Sequence, residues 1–255
     1  MVSRDALLAL CHRIGEPERD LVIIAEGNIS SRGSSATMTI KASGCSLATM
    51  TADDLVDVRI DDLLGLLDAE GVDDVQTAEV YRTCRVDPAA PAMPSVEAIL
   101  HAAIYRETEA SVIVHTHPTA INAILCSASA GLLVAGALFP DQVVVLGRHQ
   151  LLIPYTDPGV PLARAVRQGL QAFISEHGHA PRIIYLANHG IFALGETPDD
   201  ALRITTMAVK AARILTGAIA AGGPVFLPNA QQDRIESRPD EHYRRQRIAT
   251  EGGRA

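Results

Sequence analysis

The stretch SVIVHTHP, residues 111–118, joins a run of β-branched residues to two histidines at positions i and i+2. A short run rich in Val and Ile predicts a buried β-strand. Side chains alternate across a strand, so His115 and His117 point to one side while Thr116 points to the other. Two imidazoles placed in this way can bind one cation at Zn–N distances of about 2.0–2.1 Å. The alternative is one hydrogen-bonded core histidine and one exposed histidine at the strand end.

A third histidine ends another apolar run. In RIIYLANHG, residues 182–190, His189 follows the run IIYLA, and Gly190 leaves space beside its ring. Ends of strands are where an α/β sheet usually places its chemistry. His189 is therefore a candidate third ligand beside His115 and His117.

The stretch MPSVEAILHAAIYRE, residues 93–107, predicts a helix that begins near Ser95 as its N-cap. The acid of a capping box stands three residues after the cap, whereas Glu97 stands two after it, so its carboxylate is free for another task. The alternative is that Glu97 only complements the helix dipole. His101 and Tyr105 follow at steps of four, which predicts a polar stripe that either lines a cavity or forms buried hydrogen bonds.

Two Gly/Ser-containing stretches, EGNISSRGSSA at 26–36 and TMTIKASG at 37–44, carry groups that suit an anion. Most such stretches are ordinary turns. They also offer backbone N–H groups, amides and hydroxyls to an anion, as irregular loops do at phosphate sites. Lys41 would add one positive charge beside Ser43 and Gly44.

The remaining elements predict one α/β domain over residues 1–255. We expect an opening amphipathic helix, a buried strand at 21–25, a loop at 26–36, a strand that runs into a turn at 37–44 and a brief helix capped by Thr51. The acidic stretch 53–74 is expected to be solvated. Long helices are predicted at 159–178 and 197–223, and a charged helical tail from about residue 230.

Bulk composition limits the classes of partner. With 255 residues, 47% of them hydrophobic, the chain can build a large core. A net charge of -8 gives no long-range attraction to nucleic acid or an anionic membrane, so we expect a small-molecule partner. Scattered cysteines and a polar start favour the cytoplasm. Apolar runs shorter than the roughly 18–20 residues of a membrane span indicate no membrane segment.

Five stretches in order along the chain, EGNISSR, IKASG, PSVEAILHAAIY, VIVHTHP and LANHGIF, resemble the sequential motifs of the class II aldolase and adducin family. The resemblance covers about residues 5–220. It implies a three-layer α/β/α fold around a central, mostly antiparallel sheet. It also implies a homotetramer with its active site at a subunit interface.

The same resemblance assigns roles to individual residues. His115, His117 and His189 match the ligands of a divalent metal, usually zinc, with manganese as the alternative. Glu97 matches the carboxylate that binds the metal at rest and then acts as acid and base. The positions that hold a substrate phosphate in the family correspond here to Asn28, Ser43, Gly44 and Ser95.

The implied activity is that of a metal-dependent aldolase, a carbon–carbon lyase. A metal on three neutral imidazoles can bind the oxygens of a hydroxyketone and stabilise the enediolate left when a C–C bond breaks. Lys41 stands where the family usually has threonine, and Val96 where sugar-phosphate aldolases tend to have a second serine, which favours a carboxylate or a weakly held phosphate. Asp141 and Tyr155 are candidate second proton donors. The alternatives are a decarboxylase or epimerase with the same metal site and a non-catalytic adducin-like module.

Overall fold

The computed structural model of the chain describes residues 1–34 and 36–238. Within these residues seven strands form one sheet, and their bounds are β1 Asn28–Arg32, β2 Thr37–Lys41, β3 Leu55–Arg59, β4 Val112–Thr116, β5 Leu151–Ile153, β6 Ile183–Leu186 and β7 Gly190–Gly195. The order across the sheet is β3-β2-β1-β4-β7-β6-β5. Each neighbouring pair is antiparallel except β5 and β6, which are parallel.

Helices cover both faces of the sheet. Their bounds in the described residues are α1 Arg4–Ile14, α2 Ile60–Asp68, α3 Asp74–Thr83, α4 Ala98–Glu107, α5 Thr119–Leu125, α6 Pro140–Leu146, α7 Val160–His177, α8 Pro198–Ala220 and α9 Asn229–Ser237. One apolar cluster joins the sheet to α2, α3, α4 and α7, and a second joins its other face to α1, α5, α6 and α8. The predicted three-layer α/β/α fold with a mostly antiparallel sheet is confirmed. None of the described helices combines the length and apolarity needed to cross a bilayer.

The central strand β4 is buried on both faces. Val112 and Val114 belong to one apolar cluster and Ile113 to the other, as the alternation of side chains along a strand requires. The same alternation carries His115 to the face that α4 covers. Burial of both faces explains why this stretch reads as a continuous apolar run.

The two long helices agree with their sequence signals. Helix α7 begins after Gly159 and ends before Gly178, whose φ of +76° is the left-handed conformation that glycine favours at a helix end. Helix α8 begins after Thr197, whose hydroxyl accepts a hydrogen bond from the backbone N–H of Asp200. The brief helix predicted at Thr51 is also present, with both bonds of a capping box.

The prediction of a loop at 26–36 is wrong, because Asn28–Arg32 forms strand β1. This strand pairs with β2 on one side and with β4 on the other. Its polar side chains Asn28 and Ser30 are buried and bonded to side chains at the start of and along α4. Strands are usually recognised in a sequence by alternating apolar residues. Strand β1 lacks this alternation because the face that it turns toward α4 is polar.

The buried strand predicted at 21–25 is also wrong. This segment forms a turn in which Ile23 is 62% and Ile24 85% exposed. Strand β1 follows almost at once and already pairs on both sides, so the segment has no free strand edge beside it. Instead it passes over the end of the sheet, where Leu21 accepts a hydrogen bond from the backbone N–H of His117.

Two further expectations need correction or restriction. The acidic stretch 53–74 is not simply solvated, because its apolar residues form β3 and α2, with Val58 and Leu63 fully buried. Its Asp residues lie between these positions and face outward at Asp53 and Asp61. The charged tail contains α9, and the rest of the predicted helix, at 239–255, lies outside the described residues.

We predict that Ile24→Asn stabilises the protein. Ile24 has φ of +54°, a left-handed conformation that costs an L-residue roughly 1–2 kcal/mol and that Asn tolerates much better than a β-branched residue. Because the side chain is exposed, the replacement loses little burial. The free energy of unfolding, measured in urea, should rise by about 1 kcal/mol. Ile23→Asn, at an exposed neighbour without positive φ, is the control. An equal gain in stability there would contradict the claim that relief of backbone strain at Ile24 causes the effect.

Candidate active site

The pairing of β4 with β7 brings the three predicted histidines together. In this antiparallel pair His115 lies opposite Phe192 and Thr116 opposite Ile191. Continuing the same register places His117 opposite Gly190, and His189 directly precedes that glycine. One ligand nitrogen from each histidine therefore falls within 4.8 Å of the others.

The ring of His115 is fixed by its surroundings. Its Nδ1 donates a hydrogen bond to the backbone carbonyl of Ile191 at 2.9 Å, because a carbonyl oxygen can only accept. Its Nε2 then points toward His117 and lies 2.9 Å from the Nε2 of that ring. Phe192 stacks on the ring at a centroid distance of 4.3 Å, and the side chain is fully buried.

Gly190 makes the approach of the two strands possible. A Cβ atom at this position would lie 2.5 Å from the carbonyl oxygen of Thr116 and 2.6 Å from Cδ2 of His117. Neither separation is allowed, so the glycine provides space for the ring of His117. On the preceding turn, Asn122 Nδ2 donates to the carbonyl oxygen of His189 at 2.9 Å and fixes the backbone there.

Glu97 completes the group. Its Oε2 lies 3.2 Å from Nε2 of His115, and its Oε1 lies 3.1 Å from Nε2 of His189. Helix α4 begins at Ala98, so the predicted start near Ser95 is wrong; Glu97 occupies the N-cap position and makes no side-chain capping bond. The sequence argument that its carboxylate is free of a capping role agrees with this geometry.

Burial and charge act in opposite directions on the pKa of Glu97. Burial raises this pKa and is the largest single effect, but positive charge and hydrogen bonds at His115 and His189 together lower it below its usual range. The group is therefore a carboxylate. Burial, followed by charge at His115 and His189, lowers the pKa of His117 to about 3, so that His117 is a neutral imidazole at neutral pH.

The distances fit a divalent metal of the kind that the family implies. Ligands at about 2.0–2.1 Å around a tetrahedral zinc ion lie about 3.3 Å from one another. The Nε2 atoms of His115 and His117 are 2.9 Å apart and the two contacts of Glu97 measure 3.2 and 3.1 Å, whereas the ligand nitrogens of the three histidines lie within a wider 4.8 Å of one another. Three imidazole nitrogens and one carboxylate oxygen are also a donor set that zinc accepts.

Asn28 and Ser95, two predicted substrate-binding residues, lie beside Glu97. Asn28 Nδ2 donates to Oε2 of Glu97 at 2.6 Å, so its amide already serves the carboxylate. Ser95 Oγ accepts a hydrogen bond from the backbone N–H of Glu97 at 3.3 Å. Both are almost fully buried.

Ser43 and Gly44 form an exposed turn next to Ser95. The backbone N–H of Ser43 donates to the carbonyl of Met93 at 2.9 Å, and that of Ser95 donates to the carbonyl of Lys41 at 3.0 Å. The N–H of Ser43 is therefore committed within the protein. Gly44 has φ of +80° and open space where a Cβ would project.

Lys41 lies beneath the 21–25 segment. Its side chain is 2% exposed, and Nζ donates to the carbonyl of Ala25 at 3.2 Å. Burial lowers its pKa, and the neighbouring side chains of Cys45, Cys11 and Glu97 oppose this in part. Val96, at the start of α4, is 69% exposed instead.

The two candidate proton donors lie elsewhere in the fold. Asp141 is in the first turn of α6. Tyr155 follows the edge strand β5, is 59% exposed, and directs its hydroxyl to Oδ1 of Asp157 at 3.3 Å. Their role in proton transfer stays a prediction.

Sequence reasoning missed three groups around the histidines. Phe192 and the carbonyl of Ile191 fix His115, and Oε1 of Glu26 lies 3.8 Å from Nδ1 of His117. The first two follow His189 within the motif LANHGIF, and Glu26 opens the motif EGNISSR. The sequence therefore shows that these residues lie within the motifs. It does not show their contacts with the histidines, which depend on the register of β4 and β7 and on the path of the chain before β1.

These features define an α/β/α protein with a histidine and carboxylate site where the interior strands β4 and β7 of a mostly antiparallel sheet end and begin. The chain belongs to the family described as "Class II Aldolase and Adducin N-terminal domain", which matches residues 5–216. In fold it is similar to an L-fuculose 1-phosphate aldolase with a TM-score of 0.69 and 22% identity, over 92% of this chain and 96% of that one.

Two curated relatives extend the comparison. "Uncharacterized oxidoreductase YuxG" of Bacillus subtilis (strain 168) is 28% identical over 176 residues, 69% of this chain and 23% of that protein. A Nocardia farcinica (strain IFM 10152) protein, "Probable bifunctional methylthioribose-1-phosphate isomerase/methylthioribulose-1-phosphate dehydratase", is 27% identical over 179 residues, 67% of this chain and 28% of that protein. The chain thus spans about a quarter of the length of both relatives.

We predict that Gly190→Ala damages both the fold and the site. The new methyl group overlaps the backbone of Thr116 and the ring of His117, so the free energy of unfolding should fall by about 1–3 kcal/mol. Zinc affinity, measured by chelator competition, should fall as His117 is displaced.

The matched control is Gly217→Ala within α8, where a Cβ meets open space. Alanine is the better helix former there, so this change should raise stability by about 0.5–1 kcal/mol and leave zinc affinity unchanged. Equal behaviour of the two variants would contradict the steric role of Gly190.

Proposed function

We propose that this chain is a metal-dependent aldolase that cleaves or forms a carbon–carbon bond next to the carbonyl group of a small hydroxycarbonyl compound. The observation that carries the proposal is the position of Glu97. Each of its two oxygens lies within 3.2 Å of an imidazole nitrogen, and a third imidazole, that of His117, lies beside them. Metal ligands and a candidate acid/base thus occupy one site.

His115, His117 and His189 would hold the metal ion, which supplies Lewis acidity for the carbonyl oxygen of the substrate. Glu97 would take a proton from the substrate's hydroxyl group or α-carbon and return it later in the cycle. Its lowered pKa means that it enters the reaction as the base. Asn28 would hold the carboxylate in place through its bond to Oε2.

The substrate's anionic group would lie where α4 begins. The exposed turn would offer the hydroxyl of Ser43 and the backbone N–H of Gly44 there, Ser95 would offer its hydroxyl, and Lys41 would add positive charge from beneath. Exposed Val96 removes a hydroxyl donor at the same edge. We therefore propose a carboxylate or a weakly held phosphate as this group.

The same site supports other reactions that pass through a carbanion beside a carbonyl. A decarboxylase or epimerase is the alternative, and the dehydratase named in the Nocardia relative adds a third variant, since water loss next to a carbonyl also begins with removal of an α-proton. A non-catalytic adducin-like module is disfavoured by the complete set of His115, His117 and His189. We further propose zinc as the metal, a homotetramer and a cytoplasmic location.

We predict that the purified protein binds one equivalent of divalent metal and that His117→Ala loses it. The Nε2 atoms of His115 and His117, 2.9 Å apart, supply two of the three imidazole ligands, so one imidazole alone cannot replace the pair. Elemental analysis after dialysis measures the metal. His179→Ala, at an exposed histidine outside the cluster, is the control. A folded His117→Ala protein with full metal content would place the site elsewhere.

We predict that Glu97→Gln keeps the metal and loses turnover by roughly 100-fold or more, because the amide has the shape of the base without its function. Proton NMR in D2O follows loss of α-hydrogen signal from dihydroxyacetone, dihydroxyacetone phosphate and hydroxypyruvate, with CO2 release recorded in parallel. Glu26→Gln is the control, since Glu26 lies 3.8 Å from His117 without contacting the other ligands. Near-normal exchange by Glu97→Gln would remove Glu97 from the mechanism.

A further inference from the structure

Polar residues of β1 and α4 form a continuous buried ladder that begins at Glu97 and Asn28 and extends to side chains that the proposed reaction does not use. Asn28 and Ser30 occupy every second position of the strand and so share one face, on which the strand advances about 6.7 Å every two residues. Glu97, His101 and Tyr105 repeat along the helix, which advances about 6.0 Å every four. These two spacings are similar, so successive polar side chains of the strand lie opposite successive polar side chains of the helix.

Four hydrogen bonds connect these five side chains. Tyr105 OH lies 2.9 Å from Ser30 Oγ, and Ser30 Oγ lies 2.6 Å from His101 Nδ1. His101 Nε2 lies 2.5 Å from Asn28 Oδ1, and Asn28 Nδ2 lies 2.6 Å from Glu97 Oε2. Ser30 and His101 are fully buried, and Asn28 and Tyr105 are each 2% exposed.

The chemistry of the groups fixes the direction of every bond. The carboxylate of Glu97 only accepts, so Asn28 must present its NH2 to Glu97 and its Oδ1 to His101. His101 Nε2 must then donate, which leaves the lone pair of the neutral ring on Nδ1. Ser30 therefore donates to Nδ1 and accepts from Tyr105. All four donors point toward Glu97.

The far end of the ladder is fixed by Arg32. Its guanidinium lies 4.7 Å from the ring centroid of Tyr105, and its Nη2 donates to the carbonyl oxygens of Tyr105 at 2.8 Å and Thr108 at 2.6 Å. Its Nε donates to the carbonyl of Ala110 at 3.0 Å. These bonds satisfy the end of α4 and hold Tyr105 against β1.

We propose that Tyr105, Ser30, His101 and Asn28 form a one-way hydrogen-bond relay that fixes Oε2 of Glu97, with His101 as a positioning residue. Hydrogen bonds that all point one way polarise one another, and burial strengthens them. The relay thus holds the carboxylate in the orientation that faces the histidines. This inference rests on the proposed role of Glu97, but its hydrogen-bond pattern exists independently of any reaction.

The first test is the tautomer of His101. In the full chain labelled with 15N-histidine, long-range 15N–1H spectra should show His101 as a neutral ring protonated on Nε2, with an accepting Nδ1. The signals are assigned by their loss in His101→Gln. A ring protonated on Nδ1 would reverse the direction of the bonds and overturn the relay. The measurement needs neither metal nor substrate, so it stands even if the proposed activity fails.

The second test separates positioning from general stability by a double-mutant cycle on zinc affinity, read by chelator competition. His101→Leu breaks the relay and should weaken binding about 10- to 100-fold, the usual effect of removing a partner that orients a ligand. On the Glu97→Ala background the same change should cost less than about threefold, because the residue it acts through is gone. An equal loss on both backgrounds would make His101 merely structural.

Conservative variants keep this test falsifiable if His101→Leu does not fold. The side-chain amide of His101→Gln offers a donor and an acceptor in nearly the same places as the imidazole and should restore zinc affinity to within about threefold of wild type. Tyr105→Phe removes only the outermost hydroxyl and should weaken binding by a smaller factor. Thr205→Val, which removes a buried hydroxyl bonded within α8, is the control and should leave affinity unchanged. Zinc binding by Tyr105→Phe equal to that of the control, together with failure of His101→Gln to restore it, would overturn the proposal.

Discussion

The register between β4 and β7 is the constraint on which the candidate site depends. It places the end of one strand beside the start of the other, so that residues separated by more than seventy positions in sequence present their imidazoles to one point. A slip of one residue would turn His115 and His117 to the opposite face of the sheet. Burial of β4 on both faces prevents that slip, because it would also exchange the residues that fill two different apolar clusters. The core of the fold thereby sets the geometry of the site.

The second constraint is the need to pair polar groups that the fold buries. Strand β1 carries Asn28 and Ser30 into the layer beneath α4, where an unpaired amide or hydroxyl costs roughly 1–3 kcal/mol. The helix supplies matching groups at every fourth residue, so the strand and helix satisfy each other. Glu97 is the end of this row and also faces the histidines, so it belongs to both arrangements. An apolar replacement within the row would leave its neighbours without partners.

Much of this arrangement follows from local sequence. Local patterns that the structure retains predict the β4 strand, the convergence of His115 and His117, and the two long helices. A local pattern also predicts that Glu97 has no capping role, and the five motifs predict the family and its fold. The failures concern residues 21–25, 26–36, the acidic stretch 53–74 and the start of α4. Strand β1 was hidden because its partners are polar, and the 21–25 segment carries strand-like residues without a strand edge beside it. Those outcomes depend on pairing across the sheet, which no local window contains.

Electrostatics shows why the site suits a cation. Burial lowers the pKa of His117 and of His101 to about 3, so both rings are neutral at neutral pH. The Nε2 of His115 lies 2.9 Å from the Nε2 of His117 and 3.2 Å from Oε2 of Glu97, and the Nε2 of His189 lies 3.1 Å from Oε1 of Glu97. Each of these short contacts joins two electron-rich atoms and is favourable only with a positive centre, a proton or a metal ion, between them. A proton bridges one pair of atoms, whereas a divalent ion accepts a lone pair from several ligands at once. The geometry of the cluster therefore suits a divalent cation better than a set of separate protons.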